Sequence, residues 1–189
     1  MQVRAYKPAD REALWDLKER FERELGALGG EDKSEQYSGK LTDAYRDRYL
    51  DWADRCVERD PGCIVVAEAD DSSPRTDGDD SPDGDDGPTS EGDAATELAG
   101  YAFVLPDDCA LIWDAAVLNE LYVRENSRGG AVADALTERA LDHARGQDLP
   151  LSRIVLDVDG DNDRAQAFYR RHGFSNWGEM VARDLRERS

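Results

Sequence analysis

Between Asp71 and Asp93 the chain has not one aromatic or aliphatic side chain; from Thr76 onward it reads TDGDDSPDGDDGPTSEGD. Such a stretch cannot bury enough apolar surface to offset chain entropy, so it is expected to be disordered. Whatever fold the rest adopts must carry it on the surface. Strand-like runs stand on either side, Cys63–Ala69 (CIVVAEA) and Glu97–Leu105 (ELAGYAFVL). An overgrown hairpin loop explains this better than a linker between domains, because lengthening a loop costs little stability. The 189 residues are therefore expected to form a single domain, 1–189, with an acidic hairpin-loop insertion at 71–93. A chain of this length buries enough surface to hold a core without staples.

The remaining segments alternate in type. Val3–Tyr6 reads as a short strand. Asp10 is placed to cap a helix running to about Leu25, with Leu14, Leu17, Phe21 and Leu25 on one face and Gly26, Gly29 and Gly30 ending it. Leu41 to about Val57 reads as a second helix, and Pro61-Gly62 breaks the chain before the strand at Cys63. After the hairpin, Leu111–Val123 is expected as one long strand, Ala131–Arg145 as a helix and Leu151–Val158 as a strand. A short helix over Ala165–Arg171 stops at Gly173, and a last strand pair is expected over Phe174–Leu185. This order specifies an α/β (α+β) chain: a mixed central sheet with helices on both faces.

Charge narrows the function classes. The net charge is −19, and only four cations are lysines (Lys7, Lys18, Lys33 and Lys40). Nucleic-acid and anionic-membrane surfaces need clustered cations, so neither partner is expected. The 71–93 segment holds nine acids against one Arg, and a net of −11 remains spread over the rest. An acidic, Lys-poor surface of this kind suits a cytosol at molar salt, where the Debye length falls to about 3 Å and self-repulsion is screened. The chain is read as halophilic. Cys56, Cys63 and Cys109 have no CxxC spacing and cannot all pair, so reduced thiols and a cytoplasmic setting are expected. No apolar run is long enough to span a bilayer, and Met1–Tyr6 lacks the apolar core of a signal peptide.

Two stretches carry chemistry. In Leu121–Ala133 (LYVRENSRGGAVA) a strand runs into a small-residue turn that opens a helix. Free backbone N–H groups and the positive helix end suit a phosphate there, and small residues let the backbone approach it. Arg124 and Arg128 add positive charge in an otherwise acidic chain. A Gly-rich turn with no ligand has the same composition, and the segment is neither a Walker loop nor GxGxxG. The second stretch, Asn162–Phe174 (NDRAQAFYRRHGF), follows an apolar strand. Its Tyr169 can serve as a core ring or turn its hydroxyl toward a cleft. His143 and His172 read as surface or turn residues. No metal site is expected: the run from Asp157 has Asn162 and Phe168 where a Ca²⁺ loop needs Gly and Glu.

Together the two stretches resemble the GCN5-related N-acetyltransferase (GNAT) family. The family's R/Q-x-x-G-x-G/A loop is matched by Arg128-Gly129-Gly130-Ala131-Val132-Ala133, with Ala131 standing where the family usually has Gly. Its Asn-x-x-Ala-x-x-Phe-Tyr-x-x-x-Gly-Phe pattern is complete from Asn162 to Phe174. The resemblance implies a GNAT-like, mostly antiparallel sheet and direct acetyl transfer from acetyl-CoA, as co-substrate, to a primary amine. Leu121, Tyr122 and Val123 would pair with the pantetheine arm, Arg128–Ala133 would wrap the pyrophosphate, and Asn162 would contact the arm. Tyr169 matches the family's usual proton donor to the departing thiolate. For the base, strand alternation puts Glu120 with Tyr122 on one face, opposite Leu121 and Val123; Asp114 is the fallback. The acceptor, a small molecule or a peptide, would meet Tyr37, Tyr45, Trp52, Trp113 and Trp177. A homodimer through paired C-terminal strands is compatible with this reading. The competing reading is a non-catalytic CoA-binding or protein-interaction module on the same fold.

Overall fold

The computed structural model describes residues 1–69, 97–178 and 180–181. The expected disordered insertion at 71–93 lies outside the described residues. The chain divides into two compact units, Met1–Leu156 and Asp157–Ser189.

Among the described residues, the first unit is built on a five-stranded sheet in the order β1-β2-β3-β4-β5. Its strands are β1 (Val3–Ala5), β2 (Ile64–Glu68), β3 (Leu98–Val104), β4 (Ala116–Val123) and β5 (Ile154–Val155). The first four pair antiparallel, with Ala5 opposite Val65, Val66 opposite Tyr101 and Tyr101 opposite Tyr122. β5 joins β4 in parallel, with Ala116 opposite Ile154. The mixed, mostly antiparallel sheet is thus as the sequence predicts.

Three helices lie between β1 and β2: α1 (Arg11–Ala27), α2 (Gly30–Gly39) and α3 (Asp43–Arg59). α1 and α3 bury Leu14, Leu17, Tyr49, Leu50, Ala53 and Cys56 against Ile64, Val66, Tyr101, Phe103 and Tyr122. A short α4 (Asp107–Ala110) follows β3, and α5 (Val132–Arg145) follows β4 and packs on β2, β3 and β4. Every residue of β3 is buried, as a strand covered on both faces must be.

Several expected boundaries are corrected. Helix α2 was not anticipated: the glycines that end α1 also open a further helix. Asp10 does not cap α1 through its side chain. Its carboxylate instead accepts from the Lys7 N–H at 2.8 Å and from both terminal nitrogens of Arg4 at 2.6 and 2.9 Å. The strand expected from Leu111 starts only at Ala116. Before it, Leu111–Trp113 forms a 3₁₀ turn, and Asp114 has φ 51°, a left-handed conformation that Asp tolerates better than most residues. The strand expected over Leu151–Val158 shrinks to Ile154–Val155, since Asp157, Asp159, Gly160 and Asp161 are poor strand formers.

The second unit contains α6 (Asp163–Arg171). Residues 174–178 and 180–181 form no strand, and the rest of the expected C-terminal pair lies outside the described residues. Among the described residues, no helix is long and apolar enough to cross a membrane.

Candidate active site

β4 is the organising element. Phe103 stands opposite Glu120 while Val104 stands opposite Leu118, so Asn119 is an extra residue, a β-bulge. The bulge sets Glu120 and Tyr122 on the face that carries Tyr101 and Phe103. The Arg124 N–H bonds the Ala99 carbonyl at 2.8 Å. Backbone direction alternates along a strand, so the Leu121 and Val123 amides point away from β3. On that side β5 pairs with β4 only at Ala116 and Val117. Past Val117 the two parallel strands no longer pair, and among the described residues no strand pairs with that edge of β4.

On the other face Glu120 sits at the centre of a buried ionic cluster. It is 6% exposed, Lys18 4% and Glu22 3%. Glu120 Oε1 lies 2.7 Å from Lys18 Nζ and accepts from Asn119 Nδ2 at 3.1 Å. Its Oε2 accepts from the Tyr49 hydroxyl at 2.8 Å and the Tyr101 hydroxyl at 2.6 Å. Lys18 also reaches Glu22 Oε1 at 2.6 Å, and Lys40 holds Glu22 Oε2 at 2.6 Å. Burial by itself would lower the Lys18 pKa, but Glu120 and Glu22 outweigh it and raise the value. Burial, reinforced by Glu120, pushes the Tyr49 and Tyr101 hydroxyls well above their ordinary range. Two ammonium groups thus balance two carboxylates, and a proton reaching Glu120 directly must displace one of four donors.

Tyr49, Asn119 and Glu120 of this cluster line a cleft of about 470 Å³ together with Tyr45, Arg48, Trp52 and Arg55. Tyr45, Arg48, Trp52 and Arg55 share one stripe of α3, at helical spacings of three, four and three. Of the aromatic residues expected around an acceptor, Tyr45 and Trp52 line this cleft, whereas Trp113 is exposed at the turn before β4. Asp114, the fallback base, lies in that same turn and does not line the cleft.

After β4, Glu125–Ser127 makes a 3₁₀ turn and α5 begins at Val132. Gly129 has φ +81°, where a side chain would be strained, and nothing lies within 4 Å of a Cβ built on Gly129 or Gly130. Ala131 occupies the N-cap position in right-handed conformation with no side-chain cap. Among the described residues no side chain caps the first amides of α5, and the turn before them is made of small residues, as phosphate binding requires. Ala131, Val132 and Ala133 offer only backbone donors there. The two arginines are already engaged. Arg124 binds Asp16 at 2.6 Å and the Leu98 carbonyl at 2.6 Å. Arg128 binds both oxygens of Glu24, at 2.7 and 2.5 Å, and the Val123 carbonyl at 2.7 Å. Glu24 also accepts from the Tyr122 hydroxyl at 2.7 Å.

In the second unit, Asn162 Oδ1 accepts from the Ala165 N–H at 3.0 Å and caps α6. Tyr169 packs edge-on against Phe174, with ring centroids 5.5 Å apart, and burial pushes its hydroxyl up to about 12. It therefore keeps its proton at neutral pH. Burial likewise raises the thiols, Cys56 to about 11, which leaves them poor nucleophiles.

An open strand edge, a glycine turn and an uncapped helix beside a buried glutamate frame the comparison with known proteins. The acetyltransferase (GNAT) family model matches residues 82–174. Over that stretch the chain belongs to the GNAT family. Mycothiol acetyltransferase of Streptomyces coelicolor is 45% identical to it over 60 residues, 30% of this chain and 19% of that protein. The chain thus spans about a fifth of the length of this curated relative. Among solved structures, ribosomal-protein-alanine N-acetyltransferase from Brucella melitensis superposes with a TM-score of 0.62 at 20% identity, over 94% of this chain and 86% of that one. A Bacillus halodurans protein gives 0.59 at 16% identity, over 98% and 99%. These likenesses establish the GNAT fold.

Lys18, Glu22, Tyr49 and Tyr101 were missed by sequence reasoning. One signal was present. Lys18 stands on the apolar stripe of α1 between Leu14, Leu17 and Phe21, in a chain with only four lysines. A cation on such a stripe requires a buried counter-ion.

Proposed function

We propose that this GNAT protein transfers an acetyl group from acetyl-CoA to a primary amine by direct attack, without a covalent enzyme intermediate. The observation that carries the reading is the two-sidedness of β4: open amides at Leu121 and Val123 along one edge, and Glu120 at the floor of a cleft on one face. Acetyl-CoA supplies the activated thioester. The Leu121–Val123 backbone pairs with its arm and aims an N–H at the carbonyl oxygen, where negative charge develops. Gly129, Gly130 and the first amides of α5 hold the pyrophosphate, with Arg128 beside them, and Asn162 is assigned to the arm on its position in the family motif alone. Glu120 takes the proton from the attacking amine, directly or through the Tyr49 hydroxyl that already donates to it. Tyr169, on its position in the family motif alone, is assigned as the group that gives its proton to the sulfur as the C–S bond breaks. Positioning accounts for most of the acceleration, since it contributes about 7–11 kcal/mol while acid–base steps contribute about 10²–10⁴-fold. The free thiols of Cys56, Cys63 and Cys109 are compatible with a cytoplasmic setting.

The test is calorimetric titration of acetyl-CoA into the purified protein in molar KCl, followed by an amine screen read as thiol release. Micromolar binding with turnover supports the proposal. Binding without turnover on any amine leaves the non-catalytic CoA-binding module, and no binding in a folded sample overturns both.

A further inference from the structure

The cleft above Glu120 differs in charge from the chain around it. Arg48 and Arg55 are exposed on the cleft side of α3, and neither forms an ion pair with another described residue. Of the carboxylates close by on α3, Glu58 does not line the cleft, and Asp47, Asp51 and Asp54 are directed elsewhere. Asp51 and Asp54 both bind Arg11 of α1, and Asp54 also accepts from the Tyr6 hydroxyl. Asp47 lies beside Arg46, which binds Glu12 at 2.5 Å. Glu120, at the floor, is matched by Lys18. The lining thus holds two guanidinium groups against one carboxylate that is already balanced, within a chain of net charge −19. The aromatic rings of Tyr45 and Trp52 stand on the same stripe.

A plain cationic amine would be repelled at such a rim. An acceptor with an acid group beside its amine would not: guanidinium forks bind carboxylate and phosphate in plane, often through two hydrogen bonds. Building on the acetyl-transfer reading, we propose that the acceptor is an amine that itself carries an anion, a carboxylate or a phosphate. Arg48 and Arg55 bind that anion and leave the amine directed toward Glu120. They are specificity residues and take no part in proton transfer.

The experiment uses the full chain in a thiol-release assay with two matched probe pairs, phenylalanine against phenylalaninamide and phosphoethanolamine against ethanolamine. The acid member of at least one pair is expected to be preferred by about tenfold or more in kcat/KM, the worth of a charge-assisted hydrogen bond. The double variant Arg48→Gln, Arg55→Gln should remove that preference and leave the KM for acetyl-CoA unchanged. Both side chains are exposed, so the variant is expected to fold, and circular dichroism checks this. A preference for the neutral members, or an acid preference that survives in the double variant, overturns the proposal. So does a rise in the KM for acetyl-CoA, which would assign the arginines to the cofactor's phosphates. If no probe is turned over, calorimetry with the same four compounds decides: tighter, arginine-dependent binding of the acids sustains the anion site and places the failure with the catalytic reading, while equal or absent binding overturns the anion site.

Discussion

Lys18 is the side chain on which the buried cluster depends. Its ammonium is shared by Glu120 and Glu22, and it lies 4.9 Å from the Tyr49 ring. Removing one partner from a buried ionic group costs about 3–5 kcal/mol, because the other charges stay behind uncompensated. Lys18→Met should lower the urea-unfolding free energy by an amount of that order. The cluster also has an acid limit. Burial alone would raise the Glu22 pKa, but Lys18 and Lys40 more than offset it and hold the group below its ordinary 4.5. Its stabilisation is therefore full above about pH 4.5 and fades as pH falls through the lower, folded value. Glu22→Gln should flatten the fall of Tm with acid over that window. In catalysis, Glu120→Gln and Tyr169→Phe should each cut kcat by about 10²–10⁴-fold without abolishing it, with acetyl-CoA binding retained. Full kcat in both across pH 6 to 9 would remove these residues from the mechanism. The roles of Glu120 and Tyr169 were legible as expectations from strand alternation and motif spacing. The partners of Glu120 were not, because they converge from α1, α3 and β3, as much as 102 positions away in the chain.

At the scale of elements, the decisive contact is between β3 and β4. A Cβ on Gly100 would lie 2.5 Å from the Tyr122 carbonyl oxygen and 3.1 Å from the Val123 Cα. These are backbone atoms that cannot swing aside. Gly100→Ala should destabilise by about 1–3 kcal/mol, as overpacking does, and should also raise the KM for acetyl-CoA by displacing the edge of β4. Urea denaturation and steady-state kinetics on one preparation separate the two effects. The elements most legible in the sequence were those with a strong period or a buried apolar run, such as α1, α5, β2 and β3. Helix α2 was not: GEDKSEQYSG has no buried residue and little apolar character, so nothing marks it locally. The bulge at Asn119 was equally silent, since register is set by pairing with β3 and leaves no composition signal.

For the whole molecule, acidity is the governing quantity. The surplus of negative charge is general, and it repels itself in dilute buffer. We propose that the fold is adapted to concentrated salt, so Tm should rise steadily from 0.1 to 2 M KCl. A Tm unaffected by salt would overturn the halophilic reading. The fold class was readable from element order, whereas the way this charge is distributed in ion pairs required coordinates. That distribution bears on the loop after β4. Arg128 is already matched by Glu24. On the proposed reading, an arriving pyrophosphate enters by ion exchange: it takes the place of a counter-ion built into α1 rather than of chloride from solution. The carboxylate it releases turns back to the solvent and gathers its counter-ions there. The protein thus holds its own counter-ion at this loop, and an arriving cofactor competes with Glu24 for Arg128.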